Sequence, residues 1–211
     1  MAPFLRKQHI TLACFFVCLF LGVGIYFNHS ENEQRDPIKN EELLKEVENF
    51  SKISTLKFKN KNLVYLKVSD EYVTNIYPLF LKTLSTKEKD CLGIDKNDIG
   101  AHITLLKNKR TLSLDKNLEN TLFPFKTKNF YKITLNSTLK QDRNNKKKKV
   151  LINETWYCLE VDSPQAAEVI KKNDPSLYEK IEKKDYVLHI SFAVAKKYAD
   201  TGRCYLPGKE K

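Results

Sequence analysis

Two stretches decide how this chain folds: Ile99–Leu106, IGAHITLL, and Tyr186–Val194, YVLHISFAV. Each has the β-branched and apolar content of a strand. Each contains histidine, an apolar residue, a hydroxyl residue and another apolar residue, as His102-Ile103-Thr104-Leu105 and His189-Ile190-Ser191-Phe192. Side chains alternate faces along a strand. His102 and Thr104 therefore share one face, with Ile103 and Leu105 turned into a core. His189 and Ser191 share a face against Ile190 and Phe192. Tyr186, three residues before His189, is expected on the core side.

The segments before the two motifs match as well. Leu63–Val68 (LVYLKV) is a predicted strand. Ser69-Asp70 caps a helix over Glu71–Leu84, with a kink or late start at Pro78, and a loop spans Asp90–Asp98. Before the second motif, Trp156–Val161 (WYCLEV) is a predicted strand. Ser163-Pro164 then gives an N-cap with proline at the first helical position of a helix over Gln165–Lys172. Asp174-Pro175 repeats that signal for a helix to about Lys183. The chain thus predicts two strand–helix–strand units, each closed by a histidine-bearing strand. Between them, Phe130–Thr138 and Val150–Val161 predict a hairpin around a basic loop. Short helices with antiparallel-compatible strands define an α+β class.

Composition bounds the rest. At 211 residues the chain suits one domain with a real core. With 41% hydrophobic and 30% charged residues it is not a largely disordered chain, and 6 Gly and 7 Pro exclude collagen-like architectures. The net charge of +11 points to an anionic partner: nucleic acid, nucleotide or membrane surface. Residues 56–211 hold 31 basic and 19 acidic side chains, and Lys146–Lys149 is the densest run. That run is a loop tip able to follow a nucleic-acid backbone or an anionic lipid surface.

Ile10–Phe27 is 18 residues without a charge, just long enough to cross a bilayer core. Arg6 and Lys7 before it, and Glu31, Glu33 and Asp36 after it, keep the N-terminus cytoplasmic and send the rest across. The alternative is a cleaved signal and a secreted domain. The organisation predicted is an anchor over 1–27, a polar linker and short helix over 28–55, and a folded domain over 56–211. In the second part, Leu43, Leu44, Val47 and Phe50 line one helical face. Of five cysteines, Cys91, Cys158 and Cys204 lie outside the apolar segment, enough for one disulfide. Their spacing contains no zinc motif, and no metal or cofactor is expected. Asn28, Asn49, Asn136 and Asn153 begin N-x-S/T sequons, which matter only in a glycosylating compartment.

Two imidazoles with two hydroxyls suit phosphodiester chemistry without a metal. One histidine takes a proton from the attacking oxygen and the other gives one to the leaving oxygen. The hydroxyls hold the nonbridging oxygens. The pattern alone is weak, because His9-Ile10-Thr11-Leu12 also matches at the start of the apolar segment. Position distinguishes His102 and His189, each of which closes an equivalent unit. The plain alternative is a pair of half-buried strand histidines.

The two motifs, their separation and the repeated order resemble the 2H phosphoesterase superfamily over about residues 56–208. That resemblance implies a bilobal α+β fold of duplicated units, with antiparallel sheets and a pseudo-twofold central cleft. It also implies metal-independent action on 2′,3′-cyclic phosphates, 2′,5′ linkages or related RNA ends, by a monomer. Carried over by motif, His102 and His189 are the acid/base pair, and Thr104 and Ser191 bind phosphate. Lys107, Arg203 and Tyr205 are candidate accessory groups, and Trp156 is expected in the core. Two other functions fit the same sequence. One is a non-catalytic nucleotide- or RNA-binding module, and the other is a basic domain meeting anionic lipid.

Overall fold

A computed structural model describes residues 35–59, 62–94, 99–107, 114–141 and 149–205. The predicted anchor, residues 28–34 of the predicted linker and most of the Lys146–Lys149 run lie outside these residues. Among the described residues no helix is long and apolar enough to cross a membrane.

The described chain packs as one unit of α+β class. Its strands are β1 (Arg35–Ile38), β2 (Ile53–Lys59), β3 (Leu63–Lys67), β4 (Leu92–Ile94), β5 (His102–Lys107), β6 (Leu122–Pro124), β7 (Lys126–Gln141), β8 (Lys149–Asp162) and β9 (His189–Tyr198). They form one antiparallel sheet in the order β1-β7-β8-β9-β5-β3-β2-β6, with β4 beside the far half of β9. The helices are α1 (Glu41–Glu48), α2 (Glu71–Thr74), α3 (Ile76–Thr83), α4 (Thr86–Lys89), α5 (Pro164–Asn173) and α6 (Pro175–Glu182).

Three helices start on side-chain caps, two of them the predicted Ser163 and Asp174, whereas Asp70, expected to cap the helix at Glu71, makes no capping bond. The Asn40 side chain accepts from the Leu43 amide, Ser163 from Ala166, and Asp174 from Leu177. Pro164 and Pro175 occupy first-turn positions, where no helical N–H partner is lost. The predicted helix over Glu71–Leu84 breaks at Asn75. Pro78 thereby falls in the first turn of α3, where its missing donor again costs nothing.

One core lies between the sheet and the helices. Leu43 and Val47 of α1, Ile76 and Phe80 of α3, and Ile170 of α5 pack on Leu66, Ile103, Leu159, Ile190 and Phe192 of the sheet. The alternation of the strands turns a different set of side chains to the other face. There Tyr131, Ile133 and Cys158 form a smaller cluster with Leu135, Trp156 and Val187.

Four sequence expectations are corrected. Arg35–Ile38, expected within the linker, is an edge strand on β7, with Pro37 opposite Tyr131. An edge tolerates proline because one row of its backbone groups needs no partner strand. The Ile53–Lys59 strand crosses the expected boundary between residues 55 and 56. The expected loop Asp90–Asp98 contains β4. Finally, the second histidine strand starts at His189 rather than Tyr186, after a turn that includes Lys184 at φ 61.

Candidate active site

The histidine strands are neighbours at the centre of the sheet, where Ile103 of β5 pairs with Ile190 of β9. One antiparallel step to either side sets His102 opposite Ser191 and His189 opposite Thr104. The four polar side chains are half-buried on the face away from the helices, while Ile103 and Ile190 are wholly buried beneath them. His102 and His189 are diagonal neighbours, a relation that spans about 7–8 Å. One tetrahedral phosphate over this seam is within reach of both imidazoles.

Each imidazole is held in the same way. Nδ1 of His102 donates to the Gly100 carbonyl at 2.8 Å, and Nδ1 of His189 donates to the Val187 carbonyl at 3.1 Å. A carbonyl only accepts, so each Nδ1 carries a proton and proton exchange falls to Nε2. The turn that presents the Gly100 carbonyl needs φ +70 at that glycine. Asp70 braces the same turn by accepting from the Ala101 amide at 2.9 Å and pairing with Lys67 at 2.6 Å. Those two contacts hold the Asp70 carboxyl below its usual range, the Lys67 hydrogen bond contributing most.

The hydroxyls are fixed by a matching irregularity. On β5 the register with β3 shifts so that Leu105 is the extra residue after Thr104. On β9 the register with β8 shifts so that Phe192 is the extra residue after Ser191. Each bulge follows the hydroxyl residue directly and turns a buried apolar side chain into the core.

Burial pushes the His189 imidazole below its ordinary pKa. Lys107 and His102 push it the same way, against the Val187 carbonyl. The cations disfavour a second positive charge at this point, so His189 is the imidazole disposed to stay neutral. Their effect on it sets His102 and Lys107 electrostatically close to His189.

The accessory candidates divide. Lys107 is exposed at the end of β5, opposite Leu63, on the histidine face. Arg203 and Tyr205 do not reach it. The Arg203 carbonyl accepts from Tyr198, the Tyr205 amide donates to Lys196, and the ring of Tyr205 lies 5.3 Å from that of Tyr198. Those anchors stand at least seven residues along β9 from His189, roughly 23 Å at strand rise. Cys204 fixes the segment there through a disulfide to Cys91.

Tyr186 packs against the main core as expected, and it also lies beside the histidine pair. Its ring is 6.3 Å from His189, because strand alternation does not extend into the turn that precedes β9. Two further rings flank the pair: Tyr65 at 5.7 Å from His102 and Tyr131 at 6.3 Å from His189. Strand parity was the signal for both, since Tyr65 and Tyr131 lie opposite Thr104 and Cys158 in register. The expectation that Trp156 belongs to the core needs refinement: it is half-buried in the small cluster on the histidine face. Among the described residues no group of three or more His, Cys, Asp or Glu side chains could hold a metal ion. A separate groove of about 520 Å³, lined by Leu114, Leu118 and Val169, does not include the histidines.

No family model, curated protein or solved structure matches the chain.

Proposed function

We propose that the chain is a metal-independent phosphodiesterase of the 2H type, acting on 2′,3′-cyclic phosphate, 2′,5′-linked or related RNA and nucleotide substrates. The observation that carries this reading is the matched pair of histidines. Each is anchored at Nδ1 to the carbonyl two residues before it, and each is followed by a hydroxyl on the same face across one seam.

The strand order supports two equivalent units. The β2–β3 hairpin, helices α2–α3 and strand β5 form one. The β7–β8 hairpin, helices α5–α6 and strand β9 form the other. Each histidine strand lies beside the second strand of its own hairpin and bulges at the same motif position. A pseudo-twofold axis then passes between Ile103 and Ile190, with the cleft above it.

In this mechanism the phosphate sits over the seam. Thr104 and Ser191 donate to nonbridging oxygens. His189, disposed to be neutral, takes the proton of the attacking water or hydroxyl at Nε2. His102 in its protonated form gives a proton to the leaving ribose oxygen. General acid and base each contribute about 10²–10⁴-fold. Removing either imidazole by alanine substitution should lower kcat by that order on a 2′,3′-cyclic phosphate, with the circular dichroism spectrum retained and no effect of EDTA. Equal turnover by both variants and wild type rejects the reading. Nucleotide binding without turnover by wild type selects the non-catalytic alternative.

The Cys91–Cys204 disulfide supports an oxidising, extracytoplasmic location for the domain, as the charge bias around residues 10–27 suggests. Asn49 of the Asn49-Phe50-Ser51 sequon is exposed at the end of α1. Protection of the domain from protease added to sealed, right-side-in membrane vesicles, lost on detergent addition, tests the location.

A further inference from the structure

Two of the N-x-S/T sequons lie wholly among residues whose side chains are described, and the fold treats them differently. Asn49-Phe50-Ser51 lies where α1 ends and the chain turns toward β2, and Asn153-Glu154-Thr155 lies inside β8. An asparagine carries a sugar chain on a folded surface only if its amide nitrogen reaches solvent and serves no contact of the core.

Asn49 meets both conditions. It is exposed, and its side-chain amide has no hydrogen-bond partner among the described residues. The helix end is satisfied without that amide, because the Asn49 backbone N–H donates to the Glu46 and Val47 carbonyls. The residue between the two sequon positions pins the site. Phe50 is 7% exposed, and its ring meets that of Tyr72 edge to face at 5.1 Å. The Tyr72 hydroxyl donates to the Ser51 carbonyl at 3.0 Å, while Ser51 itself is exposed. Asparagine and serine thus stand at the surface on either side of a buried phenylalanine. Helix α1 packs into the core through Leu43 and Val47, on the side of the sheet opposite the histidines. A sugar chain at its C-terminal end therefore leaves the seam between β5 and β9 open.

Asn153 is placed otherwise. It is half-buried between β7 and β9, opposite Lys197, and borders a cleft of about 270 Å³ with Thr155, Tyr157 and Lys197. The next residue, Glu154, is 4% exposed and lies 3.3 Å from Lys196. A sugar linked to Asn153 would fill that cleft and crowd its walls.

We propose that Asn49 is an N-glycan attachment site. The acceptor atom is Nδ2, and the donor is an oligosaccharide carried on a lipid pyrophosphate. The bond from the anomeric carbon of the first sugar to the pyrophosphate oxygen breaks as the carbon–nitrogen bond forms. Nδ2 gives up one proton, and the lipid pyrophosphate leaves. Ser51 supplies the hydroxyl that the transfer requires two residues on. Transfer precedes folding, since the native fold holds Phe50 in the core, and the finished fold keeps the glycan on its helix side as a bulky, hydrophilic cover. The site rests on the extracytoplasmic reading of the domain, because the chain meets the donor only on that side of the membrane.

The full-length chain is translated with endoplasmic-reticulum microsomes, which supply donor and transferase. Its mass is compared before and after an amidase that removes N-glycans, and protease is added outside the sealed vesicles. The expected result is a protease-protected chain that loses mass on deglycosylation. One glycan's mass should be missing from Asn49→Gln and from Ser51→Ala, and present in Asn153→Gln and in Ser51→Thr, which keeps the hydroxyl. The readout is mass, so it does not depend on how well a variant folds. A protected chain that does not change on deglycosylation, or one whose full glycan mass survives both Asn49→Gln and Ser51→Ala, overturns the site and leaves the location standing. A chain digested from outside the vesicles overturns the location, and the site with it.

Discussion

Ile103 and Ile190 face each other across the seam between β5 and β9, and both are fully buried. This one pair fixes the register that sets His102 opposite Ser191 and His189 opposite Thr104. A slip by one residue on either strand would turn its histidine into the core and its isoleucine outward. The geometry of the histidine pair is therefore guarded by apolar packing rather than by contacts among the polar groups.

Ile103→Ala should consequently cost about 2–5 kcal/mol of stability, the usual range for a large-to-small change in a closed core. Its activity at a temperature where it remains folded should fall further than that of Leu56→Ala, which is equally buried but two strands away on β2. Denaturant melts paired with kcat/KM on a cyclic nucleotide measure both. Equal loss of activity in the two variants would show that the seam has no special part in holding the pair.

Gly100→Ala should damage the site more than the fold. Its φ of +70 disfavours any other residue, and an added Cβ would run into the Lys67–Asp70 ion pair. The Gly100 carbonyl is the anchor for His102 Nδ1, so relief of that clash releases the imidazole. The expected outcome is a fall in kcat of at least about tenfold with KM little changed, because a misplaced acid loses transition-state stabilisation rather than binding. A change confined to KM would contradict the anchoring role.

Reduction of Cys91–Cys204 should loosen the end of the sheet without disturbing the histidines. The bridge closes a span of 113 residues and ties the start of β4 to the segment after β9. Its loss by reductant or by Cys204→Ser should cost about 2–4 kcal/mol. Activity on a cyclic nucleotide should persist at temperatures below the new melting point, since the bridge lies at the end of β9 remote from His189. Non-reducing peptide mapping would recover the linked peptides, and thermal melts with and without reductant would give the shift. An unchanged melting temperature would count against the bridge.

The sequence was most informative where one period held over several residues. The alternation in His102–Leu105 and His189–Phe192, the caps at Ser163 and Asp174, and the β7–β8 hairpin all appear as the residue pattern predicts. The elements that escaped are short or on an edge, apart from the seven-residue β2, which lies between β3 and β6. Strands β1, β4 and β6 have three or four residues each, too few for a period, and Pro37 argued against the first. Their strand character comes from the neighbours that accept them, which is tertiary information. The site shows the same division. His102, Thr104, His189 and Ser191 share a face by local alternation alone. The closeness of Tyr186, and the remoteness of Tyr205 and Arg203, depend on a turn and a disulfide that alternation does not describe.

The His189 imidazole should leave a signature in the pH dependence of stability. Burial is the main reason that it titrates below the ordinary range, with Lys107 and His102 adding to the effect and the Val187 carbonyl opposing it. The folded chain thus binds this proton less readily than the unfolded chain, whose histidine titrates near ~6.5. Stability rises with pH wherever the unfolded state holds more protons. The contribution of the neutral buried imidazole is therefore complete above that value. It is lost as pH falls through the lower, folded value, where the ring must charge inside the sheet. The melting temperature of wild type should drop more steeply than that of His189→Gln between about pH 7 and pH 5, since the glutamine has no proton to gain. The acid limb of the wild-type kcat/KM profile should lie below the ordinary histidine range for the same reason, as befits the base of the pair. Parallel melting curves for the two proteins across that window would show that His189 is not held neutral by its surroundings, and with that its assignment as the base would fall.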